Sequence, residues 1–402
     1  MKISIIIPTH NRAESLNNTI QSIIKGGNNI EYELIIVDNN STDNTKQTVR
    51  SYPNSIYVFE KSTSFTKARN TGFEKANGDI LLYLDDDVEL IPGSLYKINE
   101  IFETYLDCGV IAGKIFPKFL SSPPNWVINC QKSFNGFSLF NEQTYSFLTK
   151  DFQEVPSAAG PMMAIRKTAY IHSGGFPPDT IGVESNRMGK TFNKLYIGIG
   201  DSGLCIKIRK LGFKVYYSSE ISCYHLVPSI RFTVGFWRSR MIGEGYCNAI
   251  SDRMLFKYNP LKLFLKRLLF SIKFLNYEKK LISKIQFNEK YNITFLGVFP
   301  EELWVRFYKG YLDMDWVLRK YPGFSNFLWK IGFNGVSDEQ YLSVLEKFPE
   351  EYRALISNDY VYDEEPLTNF HLYESKIKNA GYYNPYRRTA LFMSKLLGVL
   401  KI

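Results

Sequence analysis

The sequence predicts an α/β fold: a mostly parallel β-sheet flanked by helices, followed by a helical C-terminal extension. Short apolar runs typical of buried strands occur at 3–7, 34–37, 56–59 and 80–84. Segments with helical spacing of apolar residues separate these runs, so strands and helices alternate through about the first 90 residues. Polar residues follow several of the strand ends, which is where parallel sheets bind their ligands.

The elements of this first half can be predicted in order. The first strand ends at Pro8, and apolar residues at helical spacing from Ala13 to Lys25 predict a helix that stops at Gly26. The elements expected after it are a strand over 34–37, a helix over 44–52, a strand over 56–59, a helix over 66–76 and a strand over 80–84.

Beyond residue 91 the pattern is less regular. Pro92-Gly93-Ser94 opens a helix to about Tyr105. The elements expected after it are a strand over 110–112, a looser excursion over 117–150, a strand over 162–165, a helix over 167–172, a polar loop over 177–194, a helix over 201–211 and a strand over 215–217.

Length and composition describe a folded protein with 402 residues, 45% hydrophobic and 22% charged. We expect a domain over 1–230, divided into a first half (1–115) and a second half (116–230). A basic amphipathic helical segment (231–289) and a helical extension (290–402) of unknown role would follow. Aromatic residues make up 15% of the chain, which suits carbohydrate contact or an aromatic-rich core equally. The net charge of +9 favours anionic partners, among which we expect no nucleic acid.

The five cysteines indicate a reducing compartment, because they are widely spaced and form no C-x-x-C pair. The N-terminus reads as a first strand rather than as a signal peptide. No apolar run reaches the ~18–20 residues that span a bilayer. We therefore expect a cytoplasmic protein, either free or peripheral on the cytoplasmic face of a membrane.

The segment 256–280 carries seven Lys or Arg residues and one Glu. Lys262, Lys266 and Lys273 fall within about 40° of one another at helical spacing, beside many apolar residues. Two interpretations are open: a helix that lies on an anionic membrane surface, or a core helix with one solvated edge.

Three carboxylates, Asp85-Asp86-Asp87, directly follow the predicted strand 80–84. Like charges repel, and burial would raise their pKa values unless a cation neutralises them. Mg²⁺ is usually held by one or two carboxylates together with substrate phosphates, so a divalent metal with bound phosphate fits this position. A solvated acidic turn is the alternative.

Four segments have to be considered together: 5–12 (IIIPTHNR), 34–43 (LIIVDNNSTD), 68–72 (ARNTG) and 78–87 (GDILLYLDDD). In this order and spacing they closely resemble the nucleotide-binding half of the family 2 glycosyltransferases, which have the GT-A fold. The resemblance covers about residues 1–230, and it implies that 1–115 is the nucleotide-sugar-binding half and 116–230 the acceptor half. It implies an inverting, metal-dependent transfer of a sugar from a nucleoside-diphosphate-sugar, with a UDP-sugar favoured, to a hydroxyl of a glycan, lipid-linked or protein acceptor.

The resemblance places Thr9 and Asp38 at positions that hold the base and ribose of the donor. Arg69 matches a basic position that contacts the nucleotide. Its planar guanidinium can donate two hydrogen bonds to one phosphate group. From the residues alone, Asp38 could equally be a turn residue and Arg69 a solvated arginine on a helix face.

In the triplet, Asp85 and Asp87 match the family's D-x-D pattern. The resemblance implies that Asp87 binds Mn²⁺ or Mg²⁺ bridging the diphosphate, with Asp85 on the ribose and metal side. Asp86 would support the sugar or the nucleotide. His225 lies where many relatives carry a histidine at the metal or diphosphate; a structural histidine at a strand end is the alternative.

The family's base lies in an E-D-x-x-L pattern at the head of a helix, and the matching stretch here is 200–204 (GDSGL). Asp201 would take the acceptor proton, whereas Gly200 replaces the preceding acid. Asp201 could also be a plain helix cap. A non-catalytic, membrane-associated protein that keeps the fold and binds a nucleotide or glycan is the alternative function.

Overall fold

The computed structural model describes residues 1–26, 30–62, 64–177, 199–256, 259–290 and 298–320. The predicted polar loop over 177–194 lies outside these residues except for Pro177. Most of the predicted extension over 290–402 also lies outside them.

The N-terminal half forms the predicted alternation of strands and helices. Strands β1 (Ile3–Thr9), β2 (Tyr32–Asp38), β3 (Ser55–Phe59) and β4 (Ile80–Leu84) pair in parallel in the order β3-β2-β1-β4. The helices between them are α1 (Ala13–Gly26), α2 (Thr45–Arg50) and α3 (Phe65–Phe73). Every residue of β1 and of β4 is buried, which explains why both strands are continuous apolar runs rather than alternating ones.

The second half extends the same sheet with antiparallel and parallel pairings. Its strands are β5 (Val88–Leu90), β6 (Cys108–Phe119), β7 (Phe152–Glu154), β8 (Met162–Arg166) and β9 (Lys214–Val227). Strand β8 lies antiparallel between β4 and β6, β9 runs parallel to β6, and β5 and β7 are antiparallel to β9. The helices of this half are α4 (Ser94–Thr104), α5 (Asn125–Ser133), α6 (Lys167–Ser173) and α7 (Gly200–Lys210). The predicted α/β architecture is confirmed, with parallel pairing throughout the first four strands and again between β6 and β9.

Two strands are longer than predicted. Strand β6 continues seven residues beyond 112 and β9 continues ten beyond 217, because only their first residues form an uninterrupted apolar run. Pairing between the two strands shifts register between Gly113 and Lys114, which lets both continue past the irregularity. Within the predicted excursion over 117–150, helix α5 was not anticipated.

The C-terminal part of the described chain is helical, as predicted. A short 3₁₀ helix (Ser229–Phe232) leads into α8 (Val234–Phe256), α9 (Pro260–Lys290) and α10 (Pro300–Lys320). A Cβ added at Gly245 would lie 2.2 Å from the carbonyl oxygen of Phe307, so α8 and α10 touch backbone to backbone. No helix among the described residues is both long and apolar enough to cross a membrane.

These helices pack on the sheet domain. Val234, Trp237 and Met241 of α8 belong to the same buried apolar cluster as the strands, and so do Val298 and Leu303. The domain boundaries proposed after residues 230 and 289 therefore fall within one continuous core, and they remain predictions.

Candidate functional site

The candidate site lies at the carboxyl ends of β1, β2 and β4. Thr9 ends β1 and is the register partner of Asp38, which ends β2. The triplet Asp85-Asp86-Asp87 directly follows β4, which pairs with β1 on the other side. The parallel order of the strands thus carries these side chains to one edge of the sheet.

The loop after β1 directs a basic side chain towards the triplet. Asn11 has a left-handed backbone (φ 53°), which asparagine tolerates better than most residues. Its side-chain oxygen accepts hydrogen bonds from the backbone N–H groups of Thr42 (2.7 Å) and Asp43 (3.2 Å), which fastens this loop to the one after β2. The next residue, Arg12, then reaches the carboxylates of Asp86 and Asp87 at 3.0 and 2.7 Å.

Thr9 and Arg12 bind the carboxylate of Asp86. Its carboxylate accepts hydrogen bonds from the Thr9 hydroxyl (2.7 Å) and from Arg12, and it is almost completely buried. Burial raises the pKa of Asp86 to about 6, and the Asp87 charge adds to the rise while Arg12 opposes it. Asp86 therefore supports the Arg12 loop, and Thr9 contacts Asp86.

Asp87 is the most strongly ionised carboxylate of the triplet. Arg12 binds its Oδ2 atom at 2.7 Å and Arg231 binds the same atom at 3.3 Å, while His225 Nε2 lies 3.3 Å from Oδ1. Although burial acts to raise the pKa of Asp87, His225, Arg12 and Arg231 together lower it well below its usual range. Burial also lowers the pKa of Arg231.

The contacts of His225 define which ring nitrogen carries the hydrogen. Nδ1 lies 2.8 Å from the carbonyl oxygen of Phe137, and because a carbonyl only accepts, Nδ1–H is the donor. His225 Nε2 faces Asp87 Oδ1. Arg231 Nη1 lies 3.3 Å from the same Nε2, so the Arg231 guanidinium contacts both His225 and Asp87. The Nδ1–H bond to a carbonyl is the arrangement that usually fixes a metal-binding histidine.

Arg69 joins the triplet to the predicted base. Its guanidinium binds Asp201, Asp85 (3.2 Å) and the carbonyl oxygen of Gly160 (2.9 Å). The guanidinium is fully buried and lies 4.0 Å from the ring centre of Phe65. Arg69 is thus part of the site and not a solvated arginine on a helix face.

Asp201 lies in the first turn of α7, with its side chain one-third exposed. The residue before the helix is Ile199, and no side chain caps this end. The alternative of a plain helix cap is therefore wrong, since the Asp201 carboxylate pairs with Arg69. A Cβ at Gly160 would lie 2.4 Å from Asp201 Oδ2, so glycine is required for this close approach.

Asp38 makes different contacts from the triplet. One carboxylate oxygen accepts the backbone N–H of Ser41 at 2.8 Å, and the other accepts the Tyr57 hydroxyl at 2.7 Å. Asp38 therefore shapes the turn after β2, as the turn interpretation proposed. Each oxygen retains a lone pair, so the predicted nucleotide contact stays a prediction.

The side-chain atoms at this site are suitable ligands for a divalent cation. Among the described residues, ligand atoms of Asp85, Asp87 and His225 lie within 4.8 Å of one another, and two carboxylates with an imidazole suit Mn²⁺ or Mg²⁺. In the part of the chain that the structure describes, four carboxylates (Asp85, Asp86, Asp87 and Asp201) meet three guanidinium groups (Arg12, Arg69 and Arg231). Burial and Asp87 raise the pKa of Asp85 despite Arg69, so the arginines do not fully balance the negative charge.

The structure brings Thr9, Arg69, Asp201, His225 and the triplet into one connected network, with Asp38 at the neighbouring strand end. The sequence interpretation missed Arg12, Arg231 and the role of Gly160 beside Asp201. Arg12 lies inside the motif 5–12, and an unassigned arginine in that motif was an available signal. Arg231 had no such signal, because its position depends on the 3₁₀ turn after β9.

Comparison with known proteins finds similarity to the same family over part of the sheet domain. Residues 4–174 match the model of glycosyl transferase family 2. The glucosyl-dolichyl phosphate glucuronosyltransferase of Haloferax volcanii is 20% identical over 63% of this chain and 78% of its own. The GalNAc(5)-diNAcBac-PP-undecaprenol beta-1,3-glucosyltransferase of Campylobacter jejuni is 32% identical over 46% of this chain and 57% of its own.

Other relatives are matched over a smaller share of their length. The chain spans 32%, 36% and 39% of three of them, the first being a dolichol-phosphate mannosyltransferase of Pyrococcus furiosus. Among solved structures, the mannosyltransferase PcManGT of Pyrobaculum calidifontis, in complex with GDP-Man and Mn²⁺, covers 98% of this chain and 84% of its own at 15% identity, with a TM-score of 0.42.

Proposed function

We propose that the chain, which belongs to glycosyl transferase family 2 through residues 4–174, is an inverting, metal-dependent glycosyltransferase that moves a sugar from a nucleoside-diphosphate-sugar to an acceptor hydroxyl. The observation that carries the proposal is the convergence of Asp85, Asp87 and His225 at the strand ends, with Asp201 tied to Asp85 through Arg69. A metal-binding group and a carboxylate base are the two parts that this reaction needs.

Asp85, Asp87 and His225 would hold Mn²⁺ or Mg²⁺. When bound, the ion would act as a Lewis acid that offsets the charge growing on the departing nucleoside diphosphate. Thr9, Asp38, Arg69, Asp85 and Asp86 are the residues that we propose for the nucleotide-sugar. Of these, Asp38 lies beyond β1 from the triplet, which is where the base and ribose would extend from the diphosphate.

Asp201 would act as the general base. The acceptor hydroxyl oxygen forms a bond to the anomeric carbon while the bond from that carbon to the diphosphate oxygen breaks. The diphosphate leaves with the bonding electron pair, and the hydroxyl proton passes to the Asp201 carboxylate. Attack opposite the leaving group inverts the configuration of the anomeric carbon. The bond to Arg69 and the contact with Gly160 hold Asp201 in one orientation for this step.

Arg12 and Arg231 are suited to the diphosphate. Both bind the same oxygen of Asp87, so they flank the position where a metal-bound diphosphate would lie. Asp86 chiefly, with help from Asp87, raises the pKa of Arg12 far above its usual value, so Arg12 stays cationic at every working pH. A cation at this place would bind diphosphate oxygens, and more strongly as their charge grows.

For the acceptor, we propose a lipid-linked glycan. Two relatives support this choice, because the names of both contain a polyprenyl-linked compound: glucosyl-dolichyl phosphate and PP-undecaprenol. For the donor we propose a UDP-sugar, with GDP-sugars as the comparison, and we propose no nucleic-acid partner.

The proposal can be tested with the full chain, Mn²⁺, UDP- and GDP-sugars, and saccharides linked to polyprenyl diphosphate. The expected result is a glycosylated lipid whose new bond has the opposite anomeric configuration to that of the donor, as measured by proton NMR. A product with retained configuration would contradict the proposed mechanism.

A nucleotide- or glycan-binding protein without catalytic activity is the second candidate. Two observations favour a protein without catalytic activity. Arg69 already donates a hydrogen bond to one carboxylate oxygen of Asp201, the proposed base, and Gly200 replaces the acidic residue of the family pattern. Calorimetry distinguishes the two candidates. Binding of UDP or GDP with Mn²⁺, without transfer or slow hydrolysis of any donor sugar, would favour the binding protein.

A further inference from the structure

Helix α9 presents leucines to solvent on the face turned away from the protein. Leu261, Leu265 and Leu269 are 65%, 53% and 48% exposed, and they follow one another at intervals of four residues. The opposite face of the helix is buried through Leu263, Phe274, Leu281 and Ile285. A helix packed in a bundle normally has polar residues on its outer face, so these exposed leucines need an explanation.

A row of lysines borders these leucines. Lys262, Lys273 and Lys280 are eleven and seven residues apart, so they lie within about 20° of one another around the helix. All three are exposed, and none forms an ion pair with a carboxylate of the described residues. No acidic residue occurs in α9 before Glu278, which is buried.

Two other basic residues of α9 have a different role. Lys266 binds the buried Asp252 at 2.6 Å, and Arg267 lies 3.5 Å from the buried Asp315. These cations balance charges inside the helical part of the protein. The predicted stripe of Lys262, Lys266 and Lys273 is therefore narrowed to Lys262 and Lys273, since the partly buried Lys266 pairs with Asp252. Within the described part of the chain, no carboxylate pairs with Lys262, Lys273 or Lys280.

We propose that the exposed face of α9, formed by Leu261, Leu265 and Leu269 with the row Lys262, Lys273 and Lys280, docks on an anionic lipid bilayer. Leucines would enter the boundary between headgroups and acyl chains, and the lysines would bind lipid phosphates beside them. Charge complementarity favours a lipid bilayer as the binding partner of this face. Anionic headgroups form a continuous negative surface that would match the row of lysines along the helix. Helix α9 has 31 residues and is therefore about 47 Å long, which allows many lipid contacts.

Docking would orient the candidate site relative to the membrane. Phe270 of α9 packs 4.5 Å from the ring of Tyr311 in α10, and α10 packs backbone to backbone on α8. Lys210, at the end of α7, donates a hydrogen bond to the carbonyl oxygen of Met254 in α8 at 3.1 Å. Asp201 lies at the other end of α7, roughly 14 Å along the helix axis. The docking face and the proposed base are thus joined through packed helices.

Vesicle flotation without donor or acceptor tests the docking face separately from the proposed reaction. Wild type is expected to float with vesicles containing phosphatidylglycerol at low salt and to remain unbound with pure phosphatidylcholine. Binding should weaken strongly at 1 M NaCl, where charges are screened. Failure to float would overturn the docking proposal and would leave the proposed glycosyl transfer intact.

Two double variants locate the contact. Lys262→Glu/Lys273→Glu is expected to weaken the partition onto anionic vesicles by at least about 25-fold, since each lysine near such a surface contributes about fivefold. Leu265→Glu/Leu269→Glu is expected to abolish it. The matched control Lys75→Glu/Lys150→Glu makes the same change in net charge at exposed lysines elsewhere, and it should stay within about twofold of wild type.

Folding and self-association are checked on the same samples. Circular dichroism and calorimetry with UDP and Mn²⁺ should match wild type in all three variants. Equal flotation of wild type and both α9 variants would overturn the proposal. So would a concentration-dependent dimer, seen by light scattering, that Leu265→Glu/Leu269→Glu dissociates while wild type fails to float; the face would then bind a second copy of the chain.

Discussion

Two regions of the molecule bury clusters of charged side chains, and the clusters are built in different ways. In the strand-end site the partners are distant in sequence: Arg69 and Asp201 are 132 residues apart, and Arg231 and Asp87 are 144 apart. In α10 the pair Arg306–Glu302 is separated by four residues and lies along one helix face. The strand-end site therefore depends entirely on contacts between distant segments. In the helical cluster, spacing along α10 sets the Arg306–Glu302 pair, and Arg238 of α8 adds a second cation from another helix.

The charge balance differs as well. Burial acts to raise the pKa of Glu302, but Arg238 and Arg306 outweigh it and lower that pKa, so this carboxylate is fully compensated. Burial raises the pKa values of Asp85 and Asp86 despite their arginines. Asp313 of α10 resembles the site in this respect, since burial raises its pKa against Lys309. Glu302 is thus balanced by its own arginines, whereas Asp85 and Asp86 at the strand ends are not, which leaves negative charge there that another cation can neutralise.

The largest effect is expected from Asp201→Asn in the site. The amide keeps the shape of the side chain but cannot take a proton, so kcat should fall by roughly 10²–10⁴-fold. Calorimetry should give a donor affinity within about twofold of wild type, because Asp201 acts on the acceptor. Near-normal kcat in this variant would exclude Asp201 as the base.

The helical cluster should show the opposite behaviour. Glu302→Gln leaves the buried Arg238 and Arg306 without this carboxylate, and urea unfolding should show a loss of about 3–5 kcal/mol. The neighbouring change Glu301→Gln removes a half-exposed pair with Lys284 and should cost less than about 1 kcal/mol. A lowered kcat in folded Glu302→Gln, with unchanged stability, would contradict the division into functional and structural clusters.

The approach of Asp201 to Gly160 provides a finer test within the site. Gly160→Ala places a Cβ against the Asp201 carboxylate and should displace it, lowering kcat by roughly 10²-fold. Adding Gly160→Ala to Asp201→Asn should then cause little further loss, because both changes affect one interaction. Fully multiplicative effects on kcat would show that Gly160 acts elsewhere.

The smallest effect concerns Lys207 of α7, a buried lysine outside both clusters whose ammonium donates to the carbonyl oxygen of Gly175 at 2.8 Å. Burial lowers its pKa from 10.5 to about 8, so between these pH values the folded chain binds fewer protons than the unfolded chain. Wild-type stability should therefore rise with pH relative to Lys207→Met, on the order of 1–3 kcal/mol across this window.

The pH effect is measured by urea unfolding of both proteins at several values from pH 7 to pH 10. The exposed change Lys75→Met provides the control, and its difference from wild type should not vary with pH. A constant difference between wild type and Lys207→Met would show that Lys207 titrates normally.

Burial also explains which strands and helices could be predicted from the sequence. The βαβ half was predictable because β1 and β4 are buried on both faces and thus appear as continuous apolar runs. Strands β6 and β9 were predicted too short for different reasons. The later residues of β6 are only partly buried, whereas in β9 the polar residues Ser218, Ser219 and Glu220 interrupt the apolar run. Helix α5 was missed because its nine residues bury only Val127 and Cys130, so the apolar periodicity is weak.

For the site, the family resemblance implied the triplet, Asp38, Arg69 and Asp201. The triplet and Asp38 lie at strand ends and Asp201 near the start of a helix, whereas Arg69 lies inside α3. The pairing of Arg69 with Asp201 could not be predicted, since it depends on how α3 and α7 pack against each other. Arg231 likewise depends on the turn after β9. Contacts between distant segments are decided by packing, and spacing along the chain does not contain them.

The central claim is that Asp85, Asp87 and His225 hold a divalent cation for the donor diphosphate. The most direct measurement is the affinity for Mn²⁺ in the presence of UDP or GDP, followed by the paramagnetic signal of the free ion. Asp85→Asn is the sharpest variant, because burial opposes the charge of Asp85 and a neutral amide should cost little stability. We predict one Mn²⁺ per wild-type chain and an affinity at least about tenfold lower in Asp85→Asn. Equal Mn²⁺ affinity in the two proteins, with either nucleotide, would contradict the account.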